Sequence, residues 1–459
     1  MNDATPFPTA PAARAHDAPT ALAVDPVTLR RPRSAVSAGV GLAGMVVIVG
    51  WAVLCRHWSA AMALIGQPSA LDRANGPAAA LTGVALVGLV MALWSLAIDR
   101  VHRRPSTGLA EGRRRPWRAV WAISGTKLLG LYATWMLVAV GYMLCRWFWL
   151  PPWHFAMEVI ATTAPVAVLL AVPWTLWHDR RLLDPRDGAW VFGRWILGRE
   201  GADPQAIRAH LMAWLVKGFF GAFMLSILPA SFATVINDAF YPAGNPAAFC
   251  NALIDACFLV DVSIGLVGYA LTVRVLDAGI RSVQPRLDGW VAALICYPPF
   301  VLMGDGGPLD YHHGTASWFV WLQWHPVLVW AWGGWLVLLT ALYALATVAF
   351  GPRFSNLTRR GTITHGVYRL TRHPAYVSKN LFWWSATLPF LAASGSWLDA
   401  VRNTAVLAAV SGVYWWRART EEAHLLAEDA DYRAYHAWAG AHAPVTRGLA
   451  WVVRVVVGK

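Results

Sequence analysis

Long apolar runs alternate with short polar connections from residue 36 to residue 416. The runs fall near 36–55, 78–98, 119–145, 155–177, 211–236, 251–275, 287–303, 325–349, 380–395 and 401–416. A helix needs about 20 apolar residues to cross a bilayer, and most of these runs are close to that. The seventh and the last two are short. The seventh carries Pro298-Pro299 and reads as broken or re-entrant. The last two read as a tight hairpin, since little more than Gly395 to Asp399 separates them. The pattern predicts an all-α fold, a polytopic integral membrane helical bundle of about ten transmembrane helices.

The polar connections add an orientation. Arg100, Arg103, Arg104, Arg113, Arg114, Arg115 and Arg118 crowd the loop after the second run, and Arg180, Arg181, Arg186, Arg194 and Arg199 the loop after the fourth. Arg274, Arg281 and Arg286 follow the sixth run. Arg353, Arg359, Arg360, Arg369, Arg372 and Lys379 follow the eighth, and Arg417, Arg419 and Arg433 the last. The alternate loops Asn237–Asn251 and Gly304–Trp324 contain no Lys or Arg. Basic residues favour the cytoplasmic side, so the alternation predicts an integral membrane, multi-pass protein with both termini cytoplasmic.

Composition agrees. The 459 residues are 57% hydrophobic and 14% charged, with mean hydropathy +0.45, against about a quarter charged in soluble chains. The net charge of +13 lies in loops beside apolar runs, and no nucleic-acid motif is present. The expected partner is the lipid bilayer and no nucleic acid. Cys55, Cys145, Cys250, Cys257 and Cys296 form no C-x-x-C and mostly fall in apolar runs, so they read as buried hydrophobes. Residues 1–34, rich in Pro, Ala and Thr and without an apolar leader core, read as a disordered cytoplasmic tail. An N-terminal membrane bundle of about seven helices follows at 35–310, then a catalytic module at 311–459.

The chemistry concentrates in that module. His365 to Asn380 reads H-G-V-Y-R-L-T-R-H-P-A-Y-V-S-K-N. Pro374 pushes His373 toward an extended conformation, and Gly361 and Gly366 allow tight turns. Arg372 and His373 suit a carboxylate or phosphate. Tyr368 and Tyr376 suit a planar base or a cation. An ordinary positive-inside loop explains the Arg and Lys, but not the His, Pro, Gly and Tyr among them. A second patch, Arg417-Ala418-Arg419-Thr420-Glu421-Glu422, follows the hairpin. Alone it reads as a solvated helix start. Held against the first patch, one carboxylate suits an amine or ribose hydroxyls and the other an Arg partner. Tyr432 and Tyr435 share one helical face farther on.

His365-Gly366-x-Tyr368, Arg372-His373-Pro374-x-Tyr376, Glu421-Glu422 and Tyr432-x-x-Tyr435, spaced around a short hairpin, resemble the isoprenylcysteine carboxyl methyltransferase and phospholipid methyltransferase group of membrane enzymes. The resemblance covers the last 110 to 130 residues or so. It implies S-adenosylmethionine as cofactor, held by His365, Gly366, Tyr368, Arg372, His373, Pro374, Tyr376, Glu421 and Glu422, with Arg372 and Glu421 as catalytic residues. It implies methyl transfer to a lipid-like or prenylated small-molecule substrate. The long front bundle departs from the small members of the group and puts the substrate in question. The R-H-P-x-Y element also occurs in membrane sterol reductases, so an NADPH-dependent enzyme of that kind is the second expectation. A transporter or membrane sensor with a methyltransferase-like module is the third.

Ionisable residues inside apolar runs, here Glu158, Lys217, Asp255 and Asp261, mark either bundle pairing or an ion path. Lys217 is expected to pair with one of the two Asp residues. His312, His313, Asp305 and Asp310 match no trusted metal spacing, and no metal is expected.

Overall fold

The computed structural model of the chain describes residues 30–110, 112, 114–238, 240 and 245–457. The expected tail lies outside these residues up to position 29. So do Arg113 of the first basic loop and positions 239 and 241–244 of the loop Asn237–Asn251. Arg30 to Ser34 are described and run beside the later R-H-P segment, where Pro32 O accepts from Thr364 Oγ1 at 2.9 Å.

No water satisfies backbone groups inside hydrocarbon, so apolar runs coil into helices that pair their own N–H and C=O groups. In chain order these are α1 (Ala38–Arg56), α2 (Trp58–Leu64), α3 (Pro77–Ala97), α4 (Trp117–Leu144) and α5 (His154–Asp179). Next come α6 (Gly188–Ile196), α7 (Pro204–Asn237), α8 (Pro246–Ala270), α9 (Leu287–Leu294) and α10 (Trp318–Leu322). The last are α11 (Pro326–Phe350), α12 (Pro374–Thr387), α13 (Trp397–Glu428), α14 (Ala430–His442) and α15 (Pro444–Val457). The fold is an all-α polytopic bundle, as the patterning predicts.

Among the described residues seven helices, α1, α3, α4, α5, α7, α8 and α11, are long and apolar enough to cross a membrane. The protein is therefore an integral, multi-pass membrane protein. By that measure seven qualify among the described residues, and the count of ten is not confirmed. The expected run 287–303 is helical only to Leu294, because Pro298 and Pro299 cannot donate to a helical ladder. Helix α12 has only 14 residues. Helix α13 has 32 and continues well past position 416. The Glu pair thus lies within a helix and not at the start of one.

Helix α8 is the centre, packed along α11 and α7 and touching α1 and α3. Its buried Asp261 accepts from Tyr343 Oη at 2.9 Å and from Thr347 Oγ1, joining α8 to α11. The expected pairing of Lys217 with an Asp does not form. Lys217 Nζ sits 3.2 Å from the centroid of the Trp214 ring, a cation–π contact. A separate ion cluster holds the front of the bundle. Lys127 Nζ lies 2.8 Å from Asp179 and 2.7 Å from Asp187. Asp187 also caps α6 through the N–H groups of Ala189 and Trp190.

Two loops that carry site residues are tied together by a short antiparallel ladder. Strand β1 (Ser282–Val283) pairs with β2 (Thr358–Arg359), with Ser282 opposite Arg359. Arg360, buried beside it, donates to the carbonyls of Gly268, Ala278, Pro352 and Phe354. That one guanidinium fixes the ends of α8 and α11 relative to each other.

Candidate functional site

Backbone rules set the R-H-P loop. Gly361 and Gly366 adopt φ of +108° and +57°, angles that favour glycine. His373 is non-helical with φ −128°, and Pro374 occupies the first turn of α12. Asp429 then breaks α13 from α14, capping the N–H groups of Asp431 and Tyr432. It also lies 3.7 Å from Arg359 Nη1. The corner folds α14 back onto the loop, where Tyr435 Oη donates to Tyr368 O at 2.8 Å.

The two patches meet. Glu422 Oε1 lies 2.9 Å from both Arg372 Nη1 and His373 Nε2. Its other oxygen lies 3.2 Å from Arg419 Nη1. Burial pulls the Glu422 carboxyl up, but hydrogen bonds and charge from His373 and Arg372 outweigh it and hold it at about 2. Tyr376 Oη donates to Glu421 Oε1 at 2.6 Å, and Arg417 Nε to the same oxygen at 3.2 Å. Arg417 Nη2 reaches Asn356 Oδ1 at 2.8 Å. Arg372 also donates to His436 Nε2. Burial, then the charge of Arg372, keeps His436 below the ordinary imidazole range and suited to accept that bond.

These groups frame a cavity of about 190 Å³. Tyr368, Arg372, His373, Pro374, Tyr376 and Glu421 line it. Glu422 does not line it and stands behind as the anchor of Arg372 and His373. His365 and Gly366 face away, into a second groove. The cavity also takes in residues that sequence reasoning did not place in the site, among them Tyr297, Tyr343, Asn356, Lys379, Tyr414 and His424. Lys379 sits within the recognised stretch, so a signal existed. Tyr297, Tyr343 and Asn356 come from distant segments and carried none. Lys379 Nζ lies 5.3–5.7 Å from the ring centroids of Tyr343, Trp383 and Tyr414.

Two atoms in the cavity wall, Arg372 Nε and His424 Nδ1, are buried with no hydrogen-bond partner among the described residues. Buried polar atoms are normally satisfied, so both fit a polar ligand. Elsewhere, Asp305, Asp310 and His312 bring ligand atoms within 4.8 Å of one another between α9 and α10. His313 is not among them and faces Asp399 at 4.0 Å.

Residues 318–439 match a family described as "Protein of unknown function (DUF1295)". The match covers the segment that holds the R-H-P loop, the Glu pair and Tyr432 and Tyr435. No curated protein matches the chain, and no solved structure matches it.

Proposed function

We propose that the protein is an integral-membrane S-adenosylmethionine-dependent methyltransferase acting on a lipid-like or isoprenylated substrate at the cytoplasmic face. One observation carries the reading. The R-H-P-x-Y loop and the Glu pair, which only the resemblance links in sequence, are bonded through His373–Glu422 at 2.9 Å and Tyr376–Glu421 at 2.6 Å around one cavity.

The residues present suit that cofactor. Glu421 commits Oε1 to Tyr376 and Arg417, and its Oε2 makes no hydrogen bond among the described residues. That oxygen is a free acceptor for ribose hydroxyls or an amine. Arg372 Nε is a free donor for a carboxylate. The tyrosine faces suit an adenine ring or a sulfonium. When bound, the cofactor supplies an electrophilic methyl group, and the chain's task is position and charge. A cavity of about 190 Å³ is below the ~300–1,000 Å³ of common small-molecule sites. The walls must therefore part on binding, whichever of the two cofactors enters. The position beside the membrane spans suits an amphiphile whose tail stays in the bilayer.

The second reading is an NADPH-dependent reductase. The matched family is associated with steroid 5-alpha-reductase-like membrane proteins, which favours it. Calorimetric titration of the full chain in detergent with S-adenosylmethionine and with NADPH separates the two. S-adenosylmethionine binding that Arg372→Ala and Glu421→Ala both weaken supports the methyltransferase. NADPH binding alone replaces it with the reductase. Binding of neither overturns both.

A further inference from the structure

The second groove lies on the outer side of the R-H-P segment. Its walls come from Ala38 and Leu42 of α1, Leu345 and Val348 of α11, and Trp438 of α14, and its volume is about 600 Å³. That falls within the range of sites that hold a small amphiphile. Helices α1 and α11 both qualify as membrane spans, so an apolar chain entering between them need not leave apolar surroundings. The mouth is cationic. Arg369 lines it, is exposed, and has no carboxylate or hydrogen-bond partner among the described residues. Arg31 stands over the Trp438 ring, 5.7 Å from its centroid. His365 also lines it, with its Nε2 buried and without a hydrogen-bond partner among the described residues. Burial holds His365 below the ordinary imidazole range, so the arginines carry the positive charge at neutral pH.

An apolar slot between spans with the unpaired guanidinium of Arg369 at its rim, and Arg31 stacked on Trp438 beside it, matches the two ends of a phospholipid. We propose that this groove binds an anionic phospholipid of the surrounding bilayer, its acyl chain between α1 and α11 and its phosphate on Arg369. Basic pockets between membrane helices select anionic headgroups in this way. The lipid then lies against the outer side of the segment whose inner side, at Tyr368 and Arg372, faces the cavity. The assignment does not depend on which cofactor the cavity takes.

The test is native mass spectrometry of the full chain in detergent with added phosphatidylglycerol or phosphatidylcholine of identical acyl chains. Wild-type protein is expected to retain phosphatidylglycerol about fivefold more tightly, the size of one basic contact near a membrane surface. Arg369→Gln should bring the two lipids to equal affinity. Leu42→Trp, at an exposed position that narrows the groove, should weaken both by about tenfold. Arg433→Gln, on a surface away from the groove, should change neither. Equal retention by wild type overturns the proposal, as does a preference that survives Arg369→Gln or binding that Leu42→Trp leaves intact. Thermal melting of each variant confirms that it is folded before its lipid retention is read.

Discussion

Glu422 is the one acidic group on which Arg372, His373 and Arg419 converge, so its removal is the sharpest perturbation of the site. Its carboxyl moves from an ordinary 4.5 to about 2 in the fold. At about 1.4 kcal/mol per pH unit, the folded state holds the carboxylate by about 3 kcal/mol. This agrees with the ~3–5 kcal/mol lost when one partner of a buried ion pair is removed. The value belongs at the lower end, because Arg372 and His373 keep 20% and 21% side-chain exposure toward the cavity. Glu422→Ala should therefore lower the melting temperature in detergent by roughly 3 °C. The pH dependence carries a sign. A depressed carboxyl contributes fully above the unfolded value of 4.5 and loses its contribution as pH falls toward about 2. The gap between wild type and Glu422→Ala should narrow from about 3 kcal/mol at pH 7 to about 2 kcal/mol at pH 3.5. Fluorescence-detected melting at the two pH values reads both numbers. A shift below 1 °C at pH 7, or a gap that does not narrow in acid, refutes the assignment of Glu422 as the anchor.

Other substitutions probe other joints. Tyr376→Phe removes the 2.6 Å bond to Glu421 and should weaken binding of the proposed S-adenosylmethionine by about tenfold, the size of a hydrogen bond to a charged group; calorimetry reads it. Lys127→Met leaves Asp179 and Asp187 without their shared cation and should cost about 3–5 kcal/mol, with a late-eluting folded peak lost in size-exclusion chromatography. Adding Asp179→Asn to it should recover part of that loss. Gly193→Ala places a methyl group against the backbone carbonyl of Thr126, so α4 and α6 must separate; the melting temperature should fall, whereas Gly125→Ala on an open face of α4 should leave it unchanged.

Much of this protein can be read from the chain alone, and the reason is the solvent. A bilayer makes hydrophobic length decisive, so the runs that became α1, α3, α4, α5, α7, α8 and α11 are legible without tertiary information. The R-H-P-x-Y loop was legible too, because Pro374 and Gly366 impose local geometry wherever they stand. Short or interrupted runs were not legible in the same way. The run 287–303 is apolar throughout and its two prolines mark it as broken, but the point where the helix ends, Leu294, comes from the fold. The run at 401–416 does not reveal that α13 continues to Glu428, since a polar stretch can extend a helix once it leaves the membrane.

The division of labour within the site needed the fold. Adjacent residues on a helix point about 100° apart, so Glu421 and Glu422 face different surroundings. One lines the cavity and the other anchors Arg372 and His373 behind it. The same logic turns His365 and Gly366 outward to a second groove while Tyr368 faces in. Tyr297, Tyr343 and Asn356 enter the cavity from segments far away in the chain, brought there by the packing of α8 on α11 and by the β1–β2 ladder. Local sequence determines which residues are available and on which element. Which of them share a cavity depends on long-range packing, because side-chain direction and helix contacts are set by the whole bundle and by no single stretch of it.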